Sequence, residues 1–139
     1  MINYHSINSD HIDFEKIRTI IHTNLPLKLS DEAIDNITKC RIYLDEKTKT
    51  NHEPIYGINT GFGSLCNVKI DSKNLRKLQE NLVKSHACGT GEEVPQEIVK
   101  LMLLLKIQSL SYGHSGVQHE TVERLIDFYN NNIIPVVFT

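Results

Sequence analysis

The sequence has few cysteines and no motif that would pair them. Its three cysteines, Cys40, Cys66 and Cys88, lie far apart, and no C-x-x-C pair occurs among the 139 residues. An odd number of widely spaced thiols argues against a disulfide framework, and a zinc site would need unusual help from histidines. We therefore expect reduced thiols and no metal, which favours a cytoplasmic location.

The sequence also lacks an excess of basic charge and a long apolar run. Its net charge is −2 with scattered lysines and arginines, which gives no footprint for nucleic acid or a membrane surface. The most apolar segment, residues 98–105, is too short to cross a bilayer and contains Lys100. The N-terminus has no basic start followed by an apolar run, so no secretory signal is expected. With 40% hydrophobic and 23% charged residues, the composition predicts a soluble, folded protein.

Helical spacing of apolar residues through most of the chain predicts an all-α fold. The first helix is expected from about Asp10 to His22, with Asp10 as its cap and Phe14 on its apolar face. Ser30 is a suitable N-cap for a second helix that continues to about Glu46. The polar residues 47–52 are expected to form its solvated end and a loop.

Asp71 or Ser72 can cap a third helix, in which a stripe of leucines leads to His86. The stripe consists of Leu75, Leu78 and Leu82. Because His86 continues the same spacing, we expect it to point inward. A fourth helix is expected to begin at Val94-Pro95 and a fifth to contain Val122 and Tyr129.

The fourth helix is apolar on nearly every side between Ile98 and Leu110. Such a helix is normally wrapped by others, so it is either central to a larger protein or part of an oligomer interface. Lys106 and Gln108 within it must find partners or a water-lined space, because an unpaired buried polar group costs several kcal/mol by order of magnitude. The apolar ending, residues 133–139, predicts that residues 1–139 are one helical segment of a longer protein.

The first candidate site is the loop Tyr56-Gly57-Ile58-Asn59-Thr60-Gly61-Phe62-Gly63, which has three glycines in eight positions. This density of glycine permits strained backbone and close approach of a ligand. Tyr56 is either a general base or ligand-facing phenol, or a tyrosine packed at a turn with a solvated hydroxyl. A tyrosine base needs its pKa lowered from about 10 by positive charge or hydrogen bonds.

The second candidate site is Ser85-His86, where the histidine is either a catalyst or a satisfied core residue. The Gly89-Thr90-Gly91 turn lacks the third glycine of a dinucleotide fingerprint, so nucleotide binding is not expected. His114 and His119 are five residues apart across a turn, which does not favour a metal site.

Three motifs in this order resemble the N-terminal part of the aromatic amino acid ammonia-lyases, the histidine and phenylalanine ammonia-lyase family. They are the glycine loop, the run from Leu78 to Gly89 that contains Ser85-His86, and Gly113-His114-Ser115-Gly116-Val117. Pro135-Val136-Val137 is similar to the segment that in the family precedes an Ala-Ser-Gly tripeptide. The resemblance covers nearly the whole chain.

The resemblance implies a large helical homotetramer of the fumarase/aspartase-like fold that acts on a small-molecule amino acid. Its Ala-Ser-Gly tripeptide cyclises into an electrophilic methylidene-imidazolone, and no metal is used. The family's catalytic tyrosine corresponds to Tyr56, in an environment made electropositive by helix N-termini. Gly57, Asn59, Thr60, Gly61, Phe62 and Gly63 correspond to its active-site loop.

The Ser85-His86 pair corresponds to the position that contacts the substrate's side chain. Ser-His is the pattern of the histidine-specific members, in which the histidine can hydrogen-bond an imidazole, whereas phenylalanine-specific members usually have Phe-Leu. The reaction implied is elimination of ammonia from L-histidine to give trans-urocanate. A related 2,3-aminomutase, which also can carry this histidine, remains an alternative.

The sequence departs from the family at several positions. Lys106-Ile107-Gln108 replaces the usual Arg-x-Asn, and His114 replaces a tyrosine. Ala-Ser-Gly does not occur in the 139 residues, so the chain alone is expected to be inactive. A different alternative is a non-catalytic helical interaction module that pairs through the apolar helix.

Overall fold

The computed structural model describes residues 3–50 and 53–139, and the chain divides into two compact units. The first unit comprises the residues up to Lys47 together with Gly91–Thr139. The second unit comprises Thr48–Thr90. Both candidate sites, the glycine loop and Ser85-His86, belong to the second unit.

Helices dominate the structure, which confirms the predicted helical fold. In chain order the elements are β1 His5–Ile7, α1 Phe14–His22, β2 Leu27–Leu29, α2 Asp31–Thr50, α3 Leu75–His86, α4 Gln96–Ser111 and α5 His119–Asn130. Two short 3₁₀ turns, Gly63–Leu65 and Ser72–Asn74, precede α3.

The two strands were not predicted. β1 and β2 pair in parallel, with His5 opposite Leu27 and Ile7 opposite Leu29. The side-chain amide of Asn130 extends this pairing, because it accepts from the Leu27 N–H at 2.8 Å and donates to the Leu27 carbonyl at 2.9 Å. Strands of three residues are too short to show a recognisable period of two in the sequence.

The hydrophobic core of the first unit forms around one face of α4. Leu104 and Ile107 are fully buried there, as are Ile7 of β1 and Val122 of α5. Burying one such side chain contributes about 1.5–3 kcal/mol. This core therefore holds α4, α5 and the strands together.

Lys100 links the ends of two helices to α4. Its ammonium donates to Asn24 Oδ1 at 2.7 Å and to Asn132 Oδ1 at 3.1 Å, and lies 5.0 Å from the centre of the Tyr129 ring. Asn24 follows α1 and Asn132 follows α5, each with a positive φ. Asparagine tolerates this left-handed backbone, so the lysine ties together two helix exits.

The predicted start of α1 was wrong. Asp13, not Asp10, caps the helix, because its carboxylate accepts from the Lys16 N–H at 2.7 Å. Asp10 instead bonds to Asn8. Phe14, predicted on the buried face, is the first residue of α1 and is 90% exposed, whereas Ile20 is buried.

The predicted N-cap of α2 is confirmed, but its end was wrong. Ser30 Oγ accepts from the Ala33 N–H at 3.1 Å. The helix continues past Glu46 to Thr50, because polarity alone does not end a helix and Lys47 Nζ donates to the Tyr43 hydroxyl at 3.2 Å, an i,i+4 contact. Residues 51–52 of the predicted loop lie outside the described residues.

The α4 helix is buried on one face only. Ile98, Met102 and Leu105 are 45%, 52% and 42% exposed, so the described residues of this chain leave one face of the helix uncovered, and its place inside a larger protein or an oligomer interface stays a prediction. Gln108 is buried and its Nε2 donates to the Asn8 carbonyl at 2.7 Å, which is the partner its burial requires. Lys106, predicted to be embedded, is exposed.

Among the described residues of the second unit, no hydrophobic side chain is buried. α3 contains no buried residue among those described, and His86, predicted to point inward, is exposed. Its predicted cap was also wrong, since Asn74 occupies that position without a side-chain hydrogen bond and Asp71 lies one 3₁₀ turn earlier. The leucine stripe, Leu75, Leu78 and Leu82, is only half-buried.

His5 is expected to make the stability of the first unit depend on pH. It is 8% exposed, and its pKa is lowered from 6.5, first by burial and second by the positive charge of Lys16. The folded state therefore prefers the neutral imidazole. Stability is fully present above pH 6.5 and falls as the pH drops towards the folded-state pKa, because the unfolded chain binds the proton more readily.

Chemical unfolding of the 139-residue chain between pH 8 and pH 5 measures this effect. A His5→Gln variant, which keeps a neutral polar side chain, is expected to show a smaller loss of unfolding free energy over the same range. Equal losses in the two proteins would show that His5 is not responsible.

Candidate functional site

Asn59 organises the glycine loop. Its side-chain oxygen accepts from the Ile55 N–H at 2.6 Å, and its side-chain nitrogen donates to the Glu53 carbonyl at 3.3 Å. Its backbone carbonyl accepts from the Ile70 N–H at 2.8 Å. One residue thus fixes the entry to the loop and joins it to the chain that leaves the loop.

The second half of the loop closes on itself. Thr60 forms an antiparallel bridge with Lys69, and the Gly61 N–H donates to the Val68 carbonyl at 3.1 Å. Thr60 is completely buried, and its hydroxyl donates to the Gly61 carbonyl at 2.9 Å. The sequence pattern did not distinguish this buried threonine from its neighbours in the loop.

Two glycines of the loop are required for different reasons. Gly63 has a φ of +56°, which favours glycine, and a Cβ there would meet nothing within 4 Å. At Gly61 the constraint is space, because a Cβ would lie 2.6 Å from Leu65 Cβ and 2.9 Å from the Leu65 carbonyl oxygen. The loop is therefore tightest at Gly61.

Tyr56 lies at the start of this loop and is largely exposed to solvent. The residue is 64% exposed, and its ring meets the Phe62 ring edge-on, with 5.8 Å between centroids and 71° between planes. Phe62 therefore orients the phenol. This edge contact spans the loop and fixes the ring without enclosing the hydroxyl.

Ser85 and His86 form a hydrogen-bonded pair at the end of α3. His86 Nδ1 lies 2.8 Å from the Leu82 carbonyl and 3.1 Å from Ser85 Oγ, which donates to the same carbonyl at 2.9 Å. A carbonyl only accepts, so Nδ1 must carry a proton for this contact to be a hydrogen bond. In the neutral ring Nε2 is then left as an acceptor.

The structure joins the predicted site residues into two groups. The loop residues from Tyr56 to Gly63 form one group, and Ser85 with His86 forms the other. Among the residues that the structure describes, no hydrogen bond or ring contact connects them. Their roles in one site remain predictions.

The third motif, Gly113-His114-Ser115-Gly116-Val117, packs closely against α2, a contact that was not predicted. Gly113 and Gly116 have positive φ, and a Cβ at either would come within 2.6 Å or 2.5 Å of α2, at the Asn36 carbonyl oxygen and at Leu44 respectively. Arg41 also donates to the Gly116 carbonyl at 3.3 Å. The paired glycines could have indicated this close approach.

Two kinds of feature are absent from the described part of the chain. Within residues 3–50 and 53–139, no group of three or more His, Cys, Asp or Glu side chains is arranged to hold a metal ion. Within the same ranges, no helix has the length and apolar character needed to cross a membrane.

Substitution of Gly61 by alanine is expected to disrupt the loop locally. The new methyl group would clash with Leu65, so the hydrogen bonds of the loop should open more often. We expect exchange of the Ile70 amide hydrogen, which bonds to the Asn59 carbonyl, to accelerate about tenfold or more, equivalent to ~1.4 kcal/mol. Amide exchange measured by NMR tests this.

The matched control is Gly63→Asn. Asparagine tolerates left-handed backbone and there is open space at this position, so Ile70 exchange should change little. Similar acceleration in both variants, or none in Gly61→Ala, would contradict the steric argument.

Comparison with known proteins agrees with the motifs. The sequence model of the family described as aromatic amino acid lyase matches residues 12–139. A histidine ammonia-lyase of Deinococcus radiodurans is 43% identical over 126 residues, covering 91% of this chain and 24% of the relative. The chain thus spans about a quarter of the length of the curated relatives it matches.

Solved structures agree on the fold. The tyrosine aminomutase of Streptomyces globisporus matches with a TM-score of 0.89 at 27% identity, covering 97% of this chain and 26% of that chain. Histidine ammonia-lyase from Trypanosoma cruzi matches with a TM-score of 0.77 at 31% identity, covering 90% of this chain and 24% of that chain. Sequence and fold together show that the chain belongs to the aromatic amino acid lyase family.

Proposed function

We propose that residues 1–139 are the N-terminal segment of an enzyme that eliminates ammonia from L-histidine to give trans-urocanate. The observation that carries this proposal is the match, over nearly the whole chain, to relatives named histidine ammonia-lyase. The Ser85-His86 pair supports the choice of substrate within the family. The 139 residues alone are proposed to be inactive, because they contain no Ala-Ser-Gly.

Tyr56 is proposed as the base that removes a β-proton from the substrate. Its position at the start of a glycine-rich loop is the one the family resemblance assigns to the catalytic tyrosine. The residue is 64% exposed, and the edge contact with Phe62 orients its phenol ring. The proton would move to the phenolate oxygen of Tyr56 while ammonia leaves the neighbouring carbon.

The loop residues are proposed to hold Tyr56 in place rather than to react. Asn59 fixes both ends of the loop by hydrogen bonds, and buried Thr60 anchors its middle. Gly57, Gly61 and Gly63 permit the backbone path and its close contacts. Positioning a base within hydrogen-bonding reach of its proton is a large part of general-base catalysis.

His86 is proposed to recognise the imidazole of the substrate. With its Nδ1 proton directed to the Leu82 carbonyl, a neutral His86 presents Nε2 as an acceptor for an imidazole N–H. Ser85 supports this orientation through its 3.1 Å contact with Nδ1. A substrate without an N–H donor would leave Nε2 unpaired, which is a physical basis for selectivity.

The family resemblance also implies a methylidene-imidazolone formed from Ala-Ser-Gly. When present, this group would supply an electrophile for the substrate. The chain's own fit to it rests on the segment Val137–Thr139, which pairs with Gly91–Val94 so closely that a Cβ at Gly91 would collide with Thr139. These residues would hold the backbone that in the family leads into the tripeptide.

Assembly and location belong to the same proposal. A homotetramer, a cytoplasmic location and the role of residues 1–139 as a single segment are what the resemblance implies. The exposed apolar side chains of α4, Ile98, Met102 and Leu105, are consistent with a surface that further protein covers.

An aminomutase is the main alternative within the family, and the fold match to a tyrosine aminomutase supports keeping it. A non-catalytic interaction module that pairs through the exposed face of α4 is an alternative of another class. The family match favours an enzyme over the module.

The reaction is tested on the full-length protein with L-histidine, L-tyrosine and L-phenylalanine. We expect trans-urocanate and ammonia from L-histidine, detected by chromatography, and little product from the other two. A β-amino acid product would identify an aminomutase. Conversion of tyrosine or phenylalanine without urocanate would contradict the substrate proposal.

The role of Tyr56 is tested by Tyr56→Phe in the full-length protein. Loss of the hydroxyl removes the proton acceptor, so kcat should fall by about 10²–10⁴-fold while the thermal unfolding midpoint changes little. The control is Tyr43→Phe, another exposed tyrosine, on α2, which should retain activity. Normal turnover by Tyr56→Phe would remove this residue from the mechanism.

A further inference from the structure

The last residues of the chain form an antiparallel pair with the residues that precede α4. The Val94 N–H donates to the Val137 carbonyl at 2.8 Å, and the Thr139 N–H donates to the Glu92 carbonyl at 3.0 Å. The Gly91 N–H donates to the Thr139 carbonyl at 3.0 Å. Glu93 and Phe138 lie opposite each other between these bonds. Both segments belong to the first unit, so this pairing is internal to it.

Gly91 is the point of closest approach in this pair. A Cβ on Gly91 would lie 2.3 Å from Thr139 Oγ1 and 2.7 Å from the Thr139 carbonyl oxygen. The second contact is with backbone, so a change of side-chain rotamer at Thr139 cannot relieve it. No positive φ is recorded at Gly91, so the constraint is space and not backbone conformation.

The pairing fixes the backbone on both sides of the Thr139 Cα. The Thr139 N–H donates to the Glu92 carbonyl, and the Thr139 carbonyl accepts from the Gly91 N–H. A residue that followed Thr139 would be joined to the carbonyl that Gly91 holds. A side chain at Gly91 would therefore displace Thr139 and the backbone that follows Thr139.

We infer that Gly91 is a positioning residue for formation of the electrophile in the full-length enzyme. Without a side chain, it lets Gly91–Val94 hold Thr139 in the orientation from which the Ala-Ser-Gly segment closes its ring. This inference rests on the proposed function, which places that tripeptide after the Pro135-Val136-Val137 segment. Gly91 itself contacts no substrate.

The ring closure makes geometry decisive. The backbone nitrogen of the tripeptide's glycine adds to the carbonyl carbon of its alanine and forms a C–N bond. The alanine oxygen then leaves as water with the hydrogens of the glycine and serine N–H groups, and a C=N bond to the serine nitrogen remains. The serine then loses its hydroxyl and α-hydrogen as a second water. No oxidant is needed. A misplacement of about 1 Å can cost about 10²-fold in an intramolecular reaction of this kind.

The experiment compares Gly91→Ala with wild type in the full-length protein. Intact mass spectrometry measures the fraction of chains that lack two water molecules, and near-ultraviolet absorbance measures the same group independently. We expect wild type to be fully converted and freshly expressed Gly91→Ala to be largely unconverted, with circular dichroism showing a folded protein. If Gly91 only stabilised the fold, folded Gly91→Ala protein would still lack two water molecules, as wild type does.

The control is Thr90→Ala, which changes the exposed neighbouring residue without adding atoms against Thr139. It should convert fully. If Gly91→Ala fails to fold, the same mass measurement is made on Val94→Pro. This variant removes the N–H that donates to Val137 without adding an atom at Gly91. Partial conversion in folded Val94→Pro protein supports the inference.

The outcomes separate this inference from the proposed function. Full conversion of folded Gly91→Ala, or of Val94→Pro where the first variant does not fold, overturns the role of Gly91. Wild-type protein without the two-water mass deficit would overturn the proposed function itself. Incomplete conversion in Thr90→Ala as well as Gly91→Ala would also overturn the role assigned to Gly91.

Discussion

Burial of one face of α4 is the interaction on which the first unit depends. Leu104 and Ile107 are completely buried and belong to the same core as Ile7 and Val122. Gln108 adds a specific polar contact to this packing, because its hydrogen bond to the Asn8 carbonyl fixes the position of the segment that follows β1. Helix, strand and the N-terminal segment are thus held by one face of one helix. The opposite face carries apolar side chains that the chain leaves exposed.

The second unit is held differently. Its described residues include no buried hydrophobic side chain, and its order comes from hydrogen bonds around Asn59 and from close contacts at Gly61. Polar contacts of this kind specify geometry but contribute less free energy than an apolar core. The loop and α3 therefore obtain their shape from local polar contacts, and the described residues of the unit add little apolar burial to stabilise them.

The sequence predicted the helices well because their apolar spacing is a local property. It failed where tertiary context decides, as at Phe14, which has helical spacing but is 90% exposed, and at His86, which continues the leucine stripe but is exposed. The cap at Asp13 competed with an equally suitable Asp10, and only the hydrogen bond to Lys16 distinguishes them. For the site, residue spacing alone left open whether Tyr56 is a general base or a tyrosine packed at a turn. The ordered motifs of the family favoured the catalytic role. The support that Asn59 and Thr60 give the loop depends on partners such as Ile55, Ile70 and Lys69, and these contacts leave no pattern in the sequence.

Hydrogen exchange of the 139-residue chain measures the difference in stability between the two units. Amides in the buried turns of α4, around Leu104 and Ile107, should be the most protected, with free energies of opening close to that of global unfolding. Amides in α3, which has no buried residue among those described, should exchange far faster, through local opening. Equal protection of α3 and α4 would show that the second unit has a stabilising core of its own and would contradict the account.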